Sequence, residues 1–273
     1  MGYYIIKEPV SKIREIARNT LRGYWKPVVL AIFIYYMVSA GVSTILDYFF
    51  TFTPPLEIYG EVLYVDMPFG GSIYTFIIGG PLEFGLTMYL LAFFRAKQTD
   101  NTLLFEGFSN FGKSFLLMLL ITVKVFLWSL LFIIPGIIAS YKYSQAFYVM
   151  IDNPQLTPGQ CIKESCRIMN GNKATLFILE LTFIGWSLLA SIPAAVFTTV
   201  EANGVYTLTS AITAIILGIP AVIVDAYILT ANTAFYELAT RRLVVVSDYD
   251  PENVVDAEYT VNENQEHKDD ENL

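Results

Sequence analysis

Five apolar stretches, each about as long as a bilayer is thick, constrain this chain more than any other feature. They are Val28–Phe50, Ser72–Phe94, Ser114–Ile134, Ala174–Ile192 and Thr207–Glu237. A membrane-spanning helix needs about 20 mainly apolar residues. Charged residues make up only 15% of the chain, against about 25% in soluble proteins. The sequence therefore predicts an all-α fold, a polytopic membrane helix bundle.

Lysine and arginine cluster before the first stretch, between the second and third, before the stretch at Ala174 and after the last, whereas segments 51–71 and 193–206 contain neither. The positive-inside rule then predicts that both termini are cytoplasmic. This topology needs an even number of crossings. We therefore predict a sixth, short span at Ile137–Ile151, about 23 Å long, after an outer turn at Pro135-Gly136. A kinked third helix and a re-entrant segment are the alternatives.

Three regions follow from this topology. Residues 1–26 form a cytoplasmic N-terminus with an interfacial amphipathic helix, and residues 27–239 form a six-span membrane domain. Residues 240–273 hold ten acidic and three basic residues. Such a composition predicts a disordered cytoplasmic tail. The tail is either a solvated terminus or a docking segment.

The stretch GFSNFGKS matches the phosphate-binding loop pattern, with Gly107, Gly112, Lys113 and Ser114 at the required spacing. That loop works only where it joins a buried strand to the N-terminus of a helix in an α/β domain. Here a predicted membrane helix precedes it, and no soluble segment is large enough to form the sheet. We therefore reject nucleotide binding and interpret the stretch as a corner at the membrane surface.

Internal similarity supports that interpretation. The segment Trp128–Pro135 resembles Trp186–Pro193, and the tripeptide Ala-Phe-Tyr occurs at 146–148 and again at 234–236. Three predicted units each contain an amphipathic stretch, a glycine that permits the bend, a lysine and a membrane hairpin. The basic residues predicted to contact lipid headgroups are Lys12, Arg14, Arg18, Arg22, Lys26, Lys113 and Lys173.

The central block WSLLFIIPGIIASYKYSQAFYVMIDNP, with CIKESCRIMNGNKATLFILELTFIGWSLL after it, resembles a bacterial membrane family known as domain of unknown function 975. LRGYW and LFEGFSNFGKS also fit, and the resemblance covers roughly residues 10–240. The family is distantly similar to membrane domains fused to glycerophosphodiester phosphodiesterases. The resemblance implies a six-helix protein of the bacterial cytoplasmic membrane. It implies no activity and no functional residues.

Five ionisable residues fall within the predicted spans, and each costs at least about 2.5–3.5 kcal/mol at the bilayer centre unless it is paired or hydrated. They are Glu83, Lys124, Lys142, Glu180 and Asp225. Counted along the helices, Glu83 and Lys124 lie near the midplane of the membrane, where they are candidates for a pair. The same count predicts that Lys142 lies close to Asp225. The five residues form either a polar pathway or interhelical pairs that fix the bundle.

We expect no enzyme, cofactor or metal site. The one histidine, His267, lies in the tail, and Cys161 and Cys166 lie on different faces of one predicted helix. The first functional hypothesis is a membrane protein that binds or organises lipids or partner proteins in envelope maintenance. The second is a small transporter or channel that uses the buried charges. Nucleic acid is not an expected partner, and the oligomeric state is left open.

Overall fold

The computed structural model describes residues 4–58, 61–64, 67–200, 208–244 and 260–261. Within them the fold is an all-α bundle with three short antiparallel strand pairings, which confirms the predicted fold class. The helices are α1 (Val10–Leu21), α2 (Trp25–Tyr36), α3 (Val42–Phe49), α4 (Gly70–Ala96), α5 (Phe111–Leu131), α6 (Ile133–Tyr143), α7 (Ala146–Asp152), α8 (Pro158–Ile168), α9 (Lys173–Val200) and α10 (Leu208–Ala239).

The described residues contain five helices that are long and apolar enough to cross a membrane. A π-helical turn at Met37–Gly41 joins α2 to α3 into one such helix. The five spanning segments are Trp25–Phe49, Gly70–Ala96, Phe111–Leu131, Lys173–Val196 and Ile216–Ala239.

The predicted sixth span, Ile137–Ile151, is instead divided between α6 and α7. The break is stabilised by Ser165 of α8. The Gln145 N–H donates to Ser165 Oγ at 3.1 Å, and that hydroxyl donates to the Lys142 carbonyl at 3.0 Å. A polar side chain from a neighbouring helix thus satisfies backbone groups that the interruption leaves free.

An amphipathic segment precedes each hairpin, as predicted. These segments are α1, a 3₁₀ helix at Asn101–Phe108, and α8, which begins with a capping box between Thr157 and Gln160. Two corner glycines adopt the left-handed conformation, with φ of 85° at Gly23 and 89° at Gly171. The expectation for Gly112 is wrong, because this residue lies in the first turn of α5 and the chain bends before it.

The second connection folds back along α4. A Cβ atom on Gly85 would collide with the Leu104 carbonyl, and one on Gly107 would collide with the Pro81 carbonyl. The 3₁₀ helix therefore lies in backbone contact with the second half of α4. As a result α5 begins beside Gly80, where the Ser114 backbone is in contact, and not beside the C-terminal end of α4.

Short strands cover the connection between α3 and α4, where β1 (Thr51–Phe52) pairs with β4 (Met67–Pro68) and β2 (Pro55–Ile58) pairs with β3 (Glu61–Tyr64). At the C-terminal side, β5 (Leu243–Val244) pairs with β6 (Thr260–Val261). Apart from residues 240–244 and these two residues of β6, the predicted disordered tail lies outside the described residues.

The bundle has two contrasting ends. The packed end comprises α1, α7, α8, the second half of α4, the first turns of α9 and the last turns of α10, and its buried apolar side chains form two clusters. The open end comprises α3, the turn between α5 and α6, and the later turns of α9. Large apolar side chains such as Leu130 and Phe132 are exposed there. The N- and C-terminal segments meet at the packed end, where the Arg241 guanidinium lies 5.1 Å from the Tyr4 ring centre.

Candidate functional site

Two of the five predicted intramembrane charges, Glu83 on α4 and Asp225 on α10, lie against α2 and accept hydrogen bonds from neighbouring tyrosines. Tyr35 Oη donates to Glu83 Oε2 at 3.3 Å, and Tyr36 Oη donates to Asp225 Oδ2 at 2.8 Å. Both carboxylates are half-buried. One dipeptide of α2 therefore joins a carboxylate of α4 to a carboxylate of α10.

The structure does not pair Glu83 with Lys124. Among the described residues no salt bridge joins them, and Lys124 is exposed on α5. The hypothesis assumed that α4 and α5 meet at a common level on the cytoplasmic side. Because Ser114 instead packs on Gly80, Lys124 lies about 15 Å farther along α5, in the direction away from Glu83.

Lys142, Lys124 and Lys173 lie near enough to Cys166 of α8 for their charges to act on its thiol. Ser165, next to Cys166, donates to the Lys142 carbonyl. Burial raises the pKa of the Cys166 thiol, and the nearby charges of Lys142, Lys124 and Lys173 act in the opposite direction. The expected approach of Lys142 to Asp225 is not seen, because no salt bridge joins them within the described chain.

Glu180, the remaining predicted charge, is held by a third tyrosine. Tyr141 Oη of α6 donates to Glu180 Oε2 of α9 at 2.5 Å. The structure thus divides the five residues between an acidic pair at α2 and a lysine group near α8, with Glu180 beside the latter. It does not bring all five into one polar pathway among the described residues.

The residues predicted to contact lipid headgroups differ in whether their charged groups have a partner within the protein. Lys12 forms a salt bridge with Glu15 at 3.2 Å, and Lys113 Nζ donates to the Pro154 carbonyl at 2.6 Å. The half-buried Arg14 lies over the Phe183 ring, and Lys173 is also half-buried. Of the seven, Arg18, Arg22 and Lys26 are exposed and form neither a salt bridge nor a side-chain hydrogen bond among the described residues.

The GFSNFGKS stretch has no phosphate-loop geometry. A 3₁₀ helix, and no strand, leads into it within the described residues. Its lysine is engaged by Pro154, and Ser114 Oγ lies within hydrogen-bonding distance of the carbonyls of Gly107, Asn110 and Phe111. The groups that would bind phosphate and Mg²⁺ are therefore used to hold the corner together.

Sequence reasoning missed a buried ion network at the packed end, where Arg95 of α4 bridges two acids. Arg95 donates to Asp152 Oδ1 at 2.8 Å and to Glu237 Oε1 at 2.6 Å. Arg242 contacts Asp152 Oδ2 at 2.7 Å, and Tyr236 Oη donates to the same oxygen at 2.6 Å. The two carboxylates have only 3% of their side-chain surface exposed. Two arginines and two acids thus tie together the ends of α4, α7 and α10.

The network also fixes the charge state of Asp152. Burial alone would raise the pKa of this carboxyl, but the hydrogen bonds and charge of Arg95, with Arg242 and Tyr236, hold the pKa below its usual value. The sequence feature nearest to the network is the repeated Ala-Phe-Tyr, which in the sequence alone indicates only internal similarity. Its two tyrosines, Tyr148 and Tyr236, stack with ring centres 4.8 Å apart beside the network.

Two surface grooves complete the polar features. One, of about 410 Å³, lies between α3, α4 and α5 and includes Ser43, Asp47 and Thr75. Asp47 Oδ1 accepts the Gly71 N–H at 2.8 Å and so caps the start of α4. The other, of about 340 Å³, lies beside α1. No group of three metal-binding side chains occurs in the described part of the chain.

A comparison with known families shows what the chain is. The family model described as "Protein of unknown function (DUF975)" matches residues 7–139 and, in a second segment, residues 130–242. No curated protein and no solved structure is significantly similar to the chain. Because the two matched segments together cover most of its length, the chain belongs to the DUF975 family.

Proposed function

We propose that this protein is a non-enzymatic integral protein of the bacterial cytoplasmic membrane that binds and organises anionic lipid in envelope maintenance. The observation that carries the proposal is the position of Arg18, Arg22 and Lys26. These exposed cations lie at the corner between α1 and the first spanning helix. Each basic residue near an anionic membrane surface contributes about 1 kcal/mol to attraction.

The distribution of apolar surface supports the same function. Large apolar side chains are exposed along the spanning helices, for example Leu30 on α2 and Leu181 on α9. The exposed cations begin where this apolar surface ends at the packed end. A surface of this kind matches an anionic lipid, because its chains meet apolar side chains while its headgroup meets guanidinium and ammonium groups.

The proposed orientation has both termini in the cytoplasm. Its support is the proximity of Tyr4 to Arg241 at the packed end, together with the lysine and arginine asymmetry of the connections. After α5, the chain returns through α6 and α7 to the same end, where Asp152 contacts Arg95. A return of this kind supports an even number of crossings, although only five helices in the described residues have spanning length.

Trp25, next to Lys26, offers a direct test of lipid preference. In a variant with Trp128→Phe and Trp186→Phe, reconstituted into vesicles, dibrominated phosphatidylglycerol should quench Trp25 fluorescence more than dibrominated phosphatidylcholine at the same mole fraction. R22Q combined with K26Q should reduce this preference, and so should high salt. K7Q, an exposed cation far from this corner in sequence, is the control. Equal quenching by the two lipids would refute the proposal.

Transport is the second candidate function, and one observation favours it. Within the described residues, Glu83 and Asp225 have tyrosine partners and no salt bridge, although both lie in spanning helices. Such residues often mark ion or proton paths. If transport is the function, E83Q and D225N should reduce cation or proton flux in proteoliposomes without lowering thermal stability. No flux in the wild-type protein would exclude it.

A further inference from the structure

The groove beside α1 contains two arginines whose charges no acidic residue of the described chain neutralises. It is lined by Ser11, Arg14, Glu15, Arg18 and Tyr227. Glu15 is the one acidic residue among these, and it forms its salt bridge with Lys12. Neither arginine takes part in a salt bridge within the described residues. The groove therefore has an excess of positive charge.

Arg14 is held in place but not satisfied. Its guanidinium lies 5.2 Å from the centre of the Phe183 ring, and its Nε atom is buried with no hydrogen-bond partner. Buried polar atoms of this kind are rare because each costs free energy unless a partner is found. An acceptor that reaches into the groove would supply the missing partner.

The helix that carries these groups is fixed against the bundle. Ile13 and Ala17 have no exposed surface, and Tyr227 Oη donates to the Arg14 carbonyl at 2.9 Å. Ser11, Arg14 and Arg18 follow one another at spacings of three and four residues, so they share one face of α1. The hydroxyl and the two guanidinium groups thus form a row of donors on one face of a fixed helix, and Arg14 is held by its contact with Phe183.

We propose that this groove binds the phosphate group of an anionic phospholipid headgroup, an inference that rests on the proposed lipid-binding function and assigns it a discrete site. Arg14 and Arg18 donate to the phosphate oxygens, and Ser11 Oγ donates a further hydrogen bond. Guanidinium groups suit phosphate because their planar fork can donate two parallel hydrogen bonds. The Arg14 Nε then gains its acceptor.

A lipid, more than a soluble phosphate, suits the surroundings of the groove. The same turns of α9 that place Phe183 beneath Arg14 expose Leu181 and Ile184. Acyl chains can cover these side chains while the phosphate occupies the groove. The match between a cationic groove and an adjoining apolar surface is the pattern expected for an amphiphile.

Titration of the detergent-solubilised full chain with dihexanoyl phosphatidylglycerol, followed by calorimetry, tests the site. We expect one saturable site. R18Q should weaken it by about tenfold, the loss of one charge-assisted hydrogen-bonded contact. R14K keeps the charge over Phe183 but removes Nε and the planar fork, so it should also weaken binding while the melting temperature stays the same. K163Q, which removes an exposed cation from α8, should have no effect.

Glu15 supplies a control with the opposite sign. E15Q removes the only acidic side chain of the groove, and binding should become tighter because phosphate no longer meets a like charge. Unchanged binding in R18Q, R14K and E15Q together would overturn the assignment to this groove. A persistent preference of Trp25 for brominated phosphatidylglycerol in R18Q would then leave the general lipid-binding function standing.

Soluble ligands distinguish the source of the phosphate. Inorganic phosphate and glycerol 3-phosphate should bind much more weakly than the short-chain lipid, because they cannot cover Leu181 and Ile184. If inorganic phosphate binds as tightly as the lipid and loses affinity in R18Q, the groove is a site for soluble phosphate and the lipid assignment is wrong. Dihexanoylglycerol, which lacks the phosphate, should show no saturable binding.

Discussion

The helices α4 and α5 are neighbours in sequence and both have spanning length, yet they lie in different surroundings. In α4, 61% of an apolar 18-residue stretch is buried inside the protein, against 11% in α5. The second half of α4 is covered by protein at the packed end, whereas α5 exposes its apolar side chains toward the open end. Similar hydropathy therefore serves two purposes, a protein core in one helix and a lipid-facing surface in the other.

The polar interactions follow the same division. The buried ion network of Arg95, Asp152, Glu237 and Arg242 belongs to the packed end, where three helix ends and the chain after α10 converge. Lys124, on the exposed surface of α5, has no salt bridge within the described residues. We therefore expect the packed end to contribute more to stability than the open end, and four predictions test that difference in order of expected effect.

The largest expected effect is the loss of Arg95. R95M leaves Glu237 without its salt bridge and Asp152 with only Arg242, and breaking a buried ion pair on one side costs about 3–5 kcal/mol. The melting temperature of the detergent-solubilised protein should fall sharply. The buried Cys161, in a C166S background, reports unfolding through reaction with a thiol-specific dye.

The control for R95M is K124M, which removes a cation from the exposed surface of α5 and should leave the melting temperature nearly unchanged. Equal losses in the two variants would show that the packed and open ends contribute equally to stability.

A steric test gives the next effect. In G85A the new methyl group collides with the Leu104 backbone, and in G107A it collides with the Pro81 backbone. Overpacking of this kind costs about 1–3 kcal/mol. G112A is the matched control, because nothing lies within 4 Å of a Cβ at that position. Alanine there should be neutral or slightly stabilising, since it favours the helix more than glycine does. Thermal melts that rank G112A below G85A would contradict the close approach of the 3₁₀ helix to α4.

Lowering the pH should weaken the packed end through Asp152. Its folded pKa lies below that of the unfolded chain, which is about 3.9 for aspartate. The contribution of Asp152 to stability is therefore fully present above that unfolded value and is lost as the pH falls through the lower folded value. D152N should lose stability at neutral pH and show a shallower decline as the pH falls below about 4. A decline as steep as in the wild type would assign the acid sensitivity to other groups.

Much of this architecture could be predicted from the sequence. The features that were predicted correctly depend on residues that lie close together in the chain. The helical class, the amphipathic segments before each hairpin and the corners at Gly23 and Gly171 follow from hydropathy, charge and local backbone chemistry. The predicted pairing of Glu83 with Lys124 is not found in the structure. It depended on the position of α5 relative to α4 along the helix axes, which the sequence does not give. That position is set by the close approach of Gly85 and Gly107 to backbone far away in sequence.

The same reason explains the two other differences. The break in the sixth predicted span depends on Ser165, which reaches it from α8, and hydropathy does not identify which neighbour satisfies a broken helix. The ion network joins residues at three helix ends. In the sequence, each of these residues looks like a charged residue at the end of any helix. The repeated Ala-Phe-Tyr placed two tyrosines beside that network, but spacing alone did not show that they face each other.

The smallest expected effect concerns the boundary between the two ends, where Tyr36 of α2 donates to Asp225 of α10. Y36F removes one interhelical hydrogen bond, which in membrane proteins contributes about 0.6 kcal/mol on average. We therefore expect a small but measurable fall in the melting temperature. Y48F is the matched control, because Tyr48 is 82% exposed at the open end and its hydroxyl forms no hydrogen bond in the described structure. In a double-mutant cycle with D225N, a coupling close to zero would show that the tyrosine and the carboxylate do not interact and that α2 is held to α10 by packing alone. A coupling near the expected value, with no change in Y48F, would show that contacts between helices extend as far as Tyr36, the last residue of α2 before the π-helical turn.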